Sequence, residues 1–248
     1  MKKVKANEIP MQEDFLVFDK KNYKAIFSTA VNGRNFNRHT EDGVSELEKL
    51  KDEFDLDGLI YIRQTHSDNV FTYHKGEDEA IFREKEGDAI ITSQKNIAVG
   101  VFTADCTPVL LVDKTRNVVA AVHSGWKGTY KSITLKTIKK MISEFSCKVQ
   151  DIEVFIGPHI KKCCYEVSEE LKEKFIKEKN NILESELFNG RNLSMEACIL
   201  SDLKKCNIDD KNITILDECT YCSKGIKLHS YRRTNGDYGR LFSFIFTR

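Results

Sequence analysis

The chain has 248 residues, 40% of them hydrophobic and 31% charged, which is enough to bury a sizeable core. Lysine plus arginine (39) nearly balances aspartate plus glutamate (38), so the net charge of +1 gives no general attraction to nucleic acid or a membrane surface. No segment approaches the ~20 apolar residues of a membrane helix, and the basic start lacks the apolar run of a signal peptide. We therefore expect one domain over residues 1–248 of a cytoplasmic protein, with its eight cysteines mainly reduced.

The first half of the chain is predicted to be rich in strands. Strands are expected around "FLVF" and "YKAIFSTA", followed by a loop and a helix from about Val44 to Phe54. Further strands are predicted at "GLIYIRQTH", "NVFTYH", "DAIITS", "IAVGVFTA", "PVLLVD" and "NVVAAVH". The polar turn "DKTRN" joins the last two, which predicts an unusually apolar hairpin.

The apolar period changes after "GWKGT". Leu135, Ile138, Ile142 and Phe145 recur at helical spacing, which predicts one amphipathic helix from Lys127 to Phe145. "IEVFIG", "ITILD" and "LFSFIFT" are predicted as strands.

Two more helices are predicted in the second half. Ser168 is a helix cap, and Met195, Ile199 and Leu203 mark a later helix. Groups of strands separated by single long helices favour an α+β fold over a doubly wound parallel sheet.

Three potential metal ligands follow predicted strands: His66 in "RQTHSDNV", Cys106 in "TADC" and His123 in "AVHSGW". Side chains at strand ends converge readily at one rim of a sheet. Two imidazoles and a thiolate suit zinc, and three protein ligands leave the fourth position open, as in catalytic sites. Their spacing matches no short zinc motif, so two other interpretations stay open: a buried Cys106 beside surface histidines, or a Cys106 nucleophile with His123 as its base.

Several other residues are candidates for the same chemistry. Asp88 in "GDAIIT" and Asp105 in "TADC" are candidates to orient a ligand histidine or to transfer a proton, although Asp105 could equally be a turn residue. "SYRRTNGDYGR" places Arg232, Arg233 and Arg240 where they could grip phosphate or carboxylate, or form a basic surface loop.

Four further cysteines and the single tryptophan are interpreted as structural. "CC" (Cys163 and Cys164) and "CTYC" (Cys219 and Cys222) could form a four-cysteine zinc site. Buried packing is the preferred interpretation, because adjacent cysteines rarely ligate one metal. Trp126 is interpreted as a packing anchor rather than a base-stacking platform.

The motifs "QTH", "GDAIIT", "TADCTPVLLVD", "AVHSGWKGT", "IGPHIKKCCYEV", "DECTYC" and "SYRR" with a later "GR" occur in this order. In that order they resemble the motifs of the YfiH/YlmD family, also named the laccase-domain, polyphenol oxidase or purine nucleoside phosphorylase family. The resemblance runs from about residue 23 to the end of the sequence and is densest between about 60 and 170.

The resemblance implies an α+β fold like the catalytic domain of cytotoxic necrotizing factor, with two central mixed sheets and helices outside. It implies a metal site of His66, Cys106 and His123, with zinc as the metal and copper as an alternative. The implied enzyme is a phosphorylase of adenosine, inosine and methylthioadenosine with adenosine deaminase side activity. Its partners would be a nucleoside and phosphate, without nucleic acid or membrane; the oligomeric state stays open.

One departure from the family pattern concerns phosphate. "STAVNGR" places Ala30 where the family usually has an arginine, so Arg34 is the nearest substitute, beside Arg232 and Arg233. Two alternatives follow from the resemblance: a Cys–His hydrolase that edits cell-wall precursors, and a copper-dependent polyphenol oxidase. The few histidines (6) and the absence of methionine from these motifs count against copper.

Overall fold

A computed structural model shows two mixed β-sheets with helices packed on their outer faces. The structure describes residues 1–236 and 238–248. The strands are β1 (Lys2–Val4), β2 (Met11–Gln12), β3 (Phe15–Lys20), β4 (Tyr23–Ser28), β5 (Gly58–Ile60), β6 (Val70–Tyr73), β7 (Ala89–Thr92), β8 (Ile97–Thr103), β9 (Thr107–Asp113), β10 (Val118–Ser124), β11 (Ile152–Ile156), β12 (Phe188–Asn189), β13 (Asn192–Leu193), β14 (Ile213–Leu216) and β15 (Leu241–Thr247). The helices are α1 (Glu41–Phe54), α2 (Glu79–Arg83), α3 (Trp126–Tyr130), α4 (Ile133–Phe145), α5 (Glu169–Glu178), α6 (Glu184–Leu187), α7 (Met195–Lys205) and α8 (Tyr231–Thr234).

One sheet has seven strands in the order β1-β14-β11-β9-β10-β7-β6, and the other has six in the order β2-β3-β4-β15-β8-β5. Each contains parallel and antiparallel pairs, and β12 and β13 form a separate hairpin. The α+β class predicted from the sequence is confirmed. The likeness to cytotoxic necrotizing factor stays a prediction.

The predicted apolar hairpin is β9–β10, and both of its faces are buried. Leu110 packs into the core between the two sheets, whereas its neighbour Leu111 packs into the core under α4 and α7. A strand buried on both faces reads as a continuous apolar run, which explains "PVLLV" and "VVAAV". A third core, rich in phenylalanine, lies between the six-stranded sheet and α1.

Three segments that cross between the six-stranded and seven-stranded sheets are important for the site. Residues 61–69 connect β5 to β6, residues 104–106 connect β8 to β9, and residues 217–240 connect β14 back to β15. His66 and Cys106 lie in the first two of these crossovers. None of the helices described is long and apolar enough to span a membrane.

The predicted single helix over residues 127–145 is wrong. The segment forms α3 and α4, which are separated because Ser132 adopts a left-handed conformation (φ 60°). The Ser132 hydroxyl donates a hydrogen bond to Asp202 of α7 at 2.9 Å, so a tertiary contact stabilises the break. The predicted strand "GLIYIRQTH" is also shorter than expected, because the chain leaves the sheet after Ile60.

Candidate functional site

His66 is placed by a loop that the Asp88 carboxylate organises. The backbone amides of Thr65, His66 and Ser67 donate to the two oxygens of Asp88 at 3.3, 3.1 and 2.5 Å. These bonds stabilise an unfavourable backbone, because His66 has a positive φ of 59°. Asp88 immediately precedes β7 and is fully buried, so it anchors the loop to the seven-stranded sheet.

Cys106 is placed at the junction of β8 and β9 by its neighbour Asp105. Asp105 has a φ of 93°, a conformation that non-glycine residues rarely adopt. Its carboxylate accepts from the Thr220 hydroxyl at 2.6 Å and from the Arg232 amide at 2.7 Å, and its carbonyl accepts from the Ile160 amide at 2.9 Å. Both carboxylate oxygens are engaged, so we expect Asp105 to position the backbone beside Cys106 rather than to transfer a proton.

His123 lies near the end of β10, directly opposite Pro108 of β9, which brings it beside Cys106. Its Nδ1 lies 2.7 Å from Asp88 Oδ1. Burial would raise the pKa of Asp88, but hydrogen bonds from His123 and Ser67 hold that pKa below its ordinary value. The carboxylate is therefore ionised and can only accept, so His123 Nδ1 carries the proton and Nε2 is left for another partner.

The three predicted metal ligands converge. One donor atom from each of His66, Cys106 and His123 lies within 4.8 Å of the other two. Cys106 Sγ is 3.7 Å from His66 Nε2, and the two imidazole centroids are 4.9 Å apart. The arrangement of two imidazoles and one sulfur fits the donor set that zinc takes in three-ligand sites.

The surroundings of Cys106 and His123 favour a thiolate beside an imidazolium. Burial raises the pKa of the Cys106 thiol, but the charges and hydrogen bonds of His123 and His66 together outweigh it and lower that pKa to about 6. Conversely, burial disfavours charge on His123, but the Cys106 thiolate and Asp88 raise the pKa of the imidazole. A low thiol pKa favours both metal binding and nucleophilic reactivity.

Gly125 leaves the space that this arrangement needs. A Cβ at Gly125 would lie 2.7 Å from His66 Cδ2, 3.1 Å from Cys106 Sγ and 3.4 Å from His123 Cε1. The backbone of Gly125 has ordinary torsion angles (φ −72°, ψ 171°), so the requirement for glycine is steric. This steric requirement accounts for the glycine of "HSGW", directly after β10.

The donors open into a cleft of about 570 Å³. Aromatic and basic side chains line it beside the donors, and they include Trp126, Tyr165, Tyr231, Tyr238, Arg38, Arg63, Arg232 and Arg240. The guanidinium of Arg232 lies 5.4 Å from the Tyr165 ring centroid, and that of Arg240 lies 4.0 Å from Tyr238. The cleft therefore offers flat apolar surfaces and anion-binding groups next to the donors.

The predicted anion contacts are only partly brought together. Arg232 and Arg240 line the cleft, but Arg233 donates to the carbonyls of Thr220, Tyr221 and Leu228 and braces the loop behind it. These three carbonyl bonds occupy the Arg233 guanidinium.

Arg34 lies elsewhere, beside α1. Its guanidinium pairs with Glu46 at 2.5 Å and with Glu53, and lies 5.0 and 5.4 Å from the ring centroids of Phe15 and Phe36. Two carboxylates and two rings satisfy it where it stands, so we expect a structural role for it.

Sequence reasoning missed Arg38, His39, Arg63 and the tyrosines of the cleft. Arg38 and His39 lie in the polar loop "VNGRNFNRHT", for which no helix or strand is predicted. That polar loop was the only sequence feature that could have indicated them. Trp126 was interpreted as a packing anchor; it does pack against a buried cluster, and it also lines the cleft.

A larger cleft of about 1610 Å³ lies around β14 and α7, away from His66 and His123, and His159 lies there.

Comparisons with known proteins show the family to which the chain belongs. The model of a family described as multi-copper polyphenol oxidoreductase laccase matches residues 23–248. The chain belongs to this family, the YfiH/YlmD family. A relative from Clostridium acetobutylicum named purine nucleoside phosphorylase is 48% identical over 232 residues, which cover 93% of this chain and 94% of the relative.

Other YfiH/YlmD relatives extend this picture. A protein of an unknown prokaryotic organism, named adenosine deaminase RL5, is 31% identical over 203 residues, covering 78% of this chain and 77% of the relative. The crystal structure of YfiH from Bacillus licheniformis has a TM-score of 0.86 at 24% identity, covering 98% of this chain and all (100%) of that one. YlmD from Geobacillus stearothermophilus has a TM-score of 0.84 at 20% identity, covering 96% and 98%. These two structures establish the shared fold.

Proposed function

We propose that this protein is a zinc-dependent purine nucleoside phosphorylase that acts on adenosine, inosine and methylthioadenosine, with adenosine deaminase side activity. One observation carries the proposal: a single cleft combines the donors of His66, Cys106 and His123 with flat aromatic surfaces and guanidinium groups. The names of the relatives, purine nucleoside phosphorylase and adenosine deaminase, support the same reaction classes.

His66, Cys106 and His123 would hold the metal. When bound, zinc would supply a Lewis acid that stabilises negative charge on an oxygen of the substrate or of water. Two nitrogens and a soft thiolate suit zinc, and Asp88 fixes the His123 tautomer that a ligand needs. Asp88 would hold His66 and His123 in place, and Asp105 would hold the backbone beside Cys106.

In phosphorolysis the bond between purine N9 and ribose C1′ breaks, and a phosphate oxygen forms a bond to C1′. The purine leaves with the electron pair and gains a proton, giving the free base and ribose 1-phosphate. We assign phosphate binding to Arg232 and Arg240, whose planar guanidinium groups suit bidentate contacts. We assign base contacts to Trp126 and Tyr165, because a purine ring packs well against a flat aromatic face.

The decisive experiment incubates the zinc-loaded protein with inosine and phosphate and measures hypoxanthine and ribose 1-phosphate. Both products are expected in equal amounts, only with phosphate present, and not from Cys106→Ser. An absence of both products from a protein with a full metal site would contradict the proposal.

The side activity has a separate test. Adenosine without phosphate should yield inosine and ammonia, more slowly than adenosine with phosphate yields adenine. If free adenine and ribose form instead, the enzyme hydrolyses the glycosidic bond and the deaminase assignment is wrong.

A Cys–His hydrolase is the second candidate, because the His123 charge lowers the pKa of the Cys106 thiol. Chelation distinguishes the two: loss of activity on chelation, with recovery on adding zinc, supports the phosphorylase. Activity that survives chelation and is lost on thiol alkylation supports the hydrolase. The names of the relatives do not favour the copper oxidase.

A further inference from the structure

A second group of potential metal ligands lies outside the cleft. One sulfur from each of Cys163, Cys164, Cys219 and Cys222 lies within 4.8 Å of the other three. The preferred interpretation of these cysteines as buried packing residues is wrong for Cys163 and Cys222, whose side chains are exposed. Burial of an apolar thiol does not explain why these two exposed cysteines meet Cys164 and the buried Cys219 at one point.

The spacing of the sulfurs suits one tetrahedral ion. The Cys163 and Cys222 sulfurs are 3.7 Å apart. Zinc–sulfur bonds of about 2.3 Å in a tetrahedron place the sulfurs about 3.8 Å from one another. A disulfide would need a separation of about 2.0 Å. The four thiolates of an iron–sulfur cluster are divided among two or four iron atoms, so some pairs stand farther apart than the 4.8 Å that bounds these sulfurs, and a single ion fits better.

The backbone shows how two adjacent cysteines can face one point. The amides of Cys164 and Tyr165 both donate to the Lys161 carbonyl, at 2.8 and 3.0 Å, which curls the chain into a turn. A second turn follows Cys219, whose carbonyl accepts from the Ser223 amide at 2.9 Å. These contacts set the two cysteine-bearing turns that face each other.

A parallel bridge between His159 and Cys219 joins the two turns. Within it, the Thr220 amide donates to the His159 carbonyl at 3.0 Å. The bridge holds "CC" and "CTYC" side by side although they are far apart in the sequence.

Cys219 has the surroundings of a thiolate. The Lys161 backbone amide donates to its sulfur at 3.5 Å. Backbone amides aimed at a sulfur stabilise the negative charge that a metal-bound cysteine carries.

We propose that Cys163, Cys164, Cys219 and Cys222 bind one structural zinc ion. Four thiolates form a closed tetrahedral site with no position for a substrate, which is the structural pattern. Soft sulfur ligands select zinc over magnesium or calcium. The cysteines of "CTYC" thus bind a metal that is separate from the metal proposed at Cys106.

The proposed ion would stabilise the wall of the cleft. Thr220, within the "CTYC" loop, donates to Asp105, and Arg233 donates to the Thr220 and Tyr221 carbonyls. On the other side, Ile160 donates to the Asp105 carbonyl shortly before Cys163. Both cysteine-bearing turns therefore contact Asp105, which immediately precedes Cys106.

The test measures zinc in full-length protein purified with a phosphine reductant. Two equivalents are expected in the wild type and one in Cys222→Ser. His66→Ala/Cys106→Ser should also bind one, and its cobalt-substituted form should show the intense sulfur-to-cobalt bands of a four-thiolate site. Cys147→Ala, which removes a buried cysteine outside both groups, should keep two. A wild type with one equivalent that Cys222→Ser retains would overturn the proposal.

A measurement on the wild type covers the case in which Cys222→Ser does not fold. Iodoacetamide should spare the exposed Cys163 and Cys222 in zinc-loaded protein, and should modify both after chelation. Rapid labelling of both in zinc-loaded protein, or a disulfide between them under reductant, would overturn the proposal. The double variant His66→Ala/Cys106→Ser removes only the cleft metal. A failure of the four-cysteine proposal can therefore be distinguished from a failure of the phosphorylase assignment.

Discussion

Asp88 contacts both imidazole-bearing parts of the site: it accepts from His123 Nδ1 at 2.7 Å and from the His66 backbone amide at 3.1 Å, in each case through Oδ1. One buried carboxylate thus sets the ring orientation of His123 and the backbone conformation at His66. Sequence reasoning identified Asp88 as a candidate to orient a histidine, and the structure adds that it also holds the loop of His66.

Replacement of Asp88 should therefore weaken metal binding. In Asp88→Asn the neutral amide can no longer accept from all of these donors, so we expect zinc affinity to fall by about 10–100-fold. Phosphorolysis at limiting zinc should fall in parallel and recover partly at high zinc. Competition with a chromogenic chelator measures the affinity.

Asp113 offers a matched control for this change. It is also fully buried, but it lies at the far end of β9 and accepts from the amides of Thr115, Arg116 and Lys148 at 2.9, 2.8 and 3.1 Å. Asp113→Asn should lower thermal stability while zinc affinity stays unchanged. Equal losses of zinc affinity in both variants would mean that Asp88 acts only through general stability.

Gly125→Ala should impair the site through sterics alone. The added Cβ would lie 2.7 Å from His66 Cδ2, and overpacking of this kind costs about 1–3 kcal/mol. If the cost falls on the metal-bound arrangement, zinc affinity drops by roughly tenfold to a hundredfold. Gly225→Ala is the control, since its Cβ would meet only Glu218 Oε1 at 3.9 Å. Isothermal titration compares the two; equal affinities would contradict the prediction.

The arginine assignments predict that substitutions in the cleft weaken phosphate binding, whereas substitution of Arg34 lowers stability. Arg232→Ala and Arg240→Ala should each raise the KM for phosphate roughly 10–100-fold, as for a lost bond to a charged group of about 1.5–3 kcal/mol. Arg34→Ala should instead lower thermal stability, because it removes the ion pairs to Glu46 and Glu53, and leave that KM unchanged. Arg116→Ala, in the exposed turn of the hairpin, is the neutral control. An elevated phosphate KM in Arg34→Ala alone would reverse the assignment.

Stability should decline in acid partly through Asp217. Hydrogen bonds from Lys161 and Lys5 hold the pKa of Asp217 well below its ordinary value. The unfolded chain therefore binds this proton more readily, so the stabilisation is present above about pH 4 and is lost as pH falls further. Asp217→Asn should be less stable than the wild type at neutral pH, and the difference should shrink in acid. Urea unfolding at several pH values measures it; a constant difference would contradict the prediction.

Much of the fold followed from the period of the apolar residues. The β9–β10 hairpin and the helices that begin after Ser168 and Ser194 occur where the sequence predicts them, because burial patterns and caps are local. The break at Ser132 was not predictable, since it depends on Asp202 of a distant helix. The early end of β5 depends on a crossover, which apolar residues alone do not indicate.

The candidate site was predictable in its donors but not in its surroundings. The residue types of His66, Cys106 and His123 indicated a metal, and the hairpin register accounts for the closeness of the last two. The contribution of Arg38 and Tyr165 to the cleft required the crossovers between the sheets, which the sequence does not reveal. The four-cysteine group was set aside because adjacent cysteines were expected to diverge, whereas a tight turn lets them face one point.

The position of β15 affects when His66, Cys106 and His123 can first come together during synthesis of the chain. This strand pairs with β4 on one side and β8 on the other, in the middle of the six-stranded sheet, yet it is made after both. A nascent chain still lacking β15 has a gap beside β8, the strand that leads into Cys106. Metal acquisition at the cleft is therefore expected to follow the synthesis of β15 rather than to guide the folding of the strands made before it.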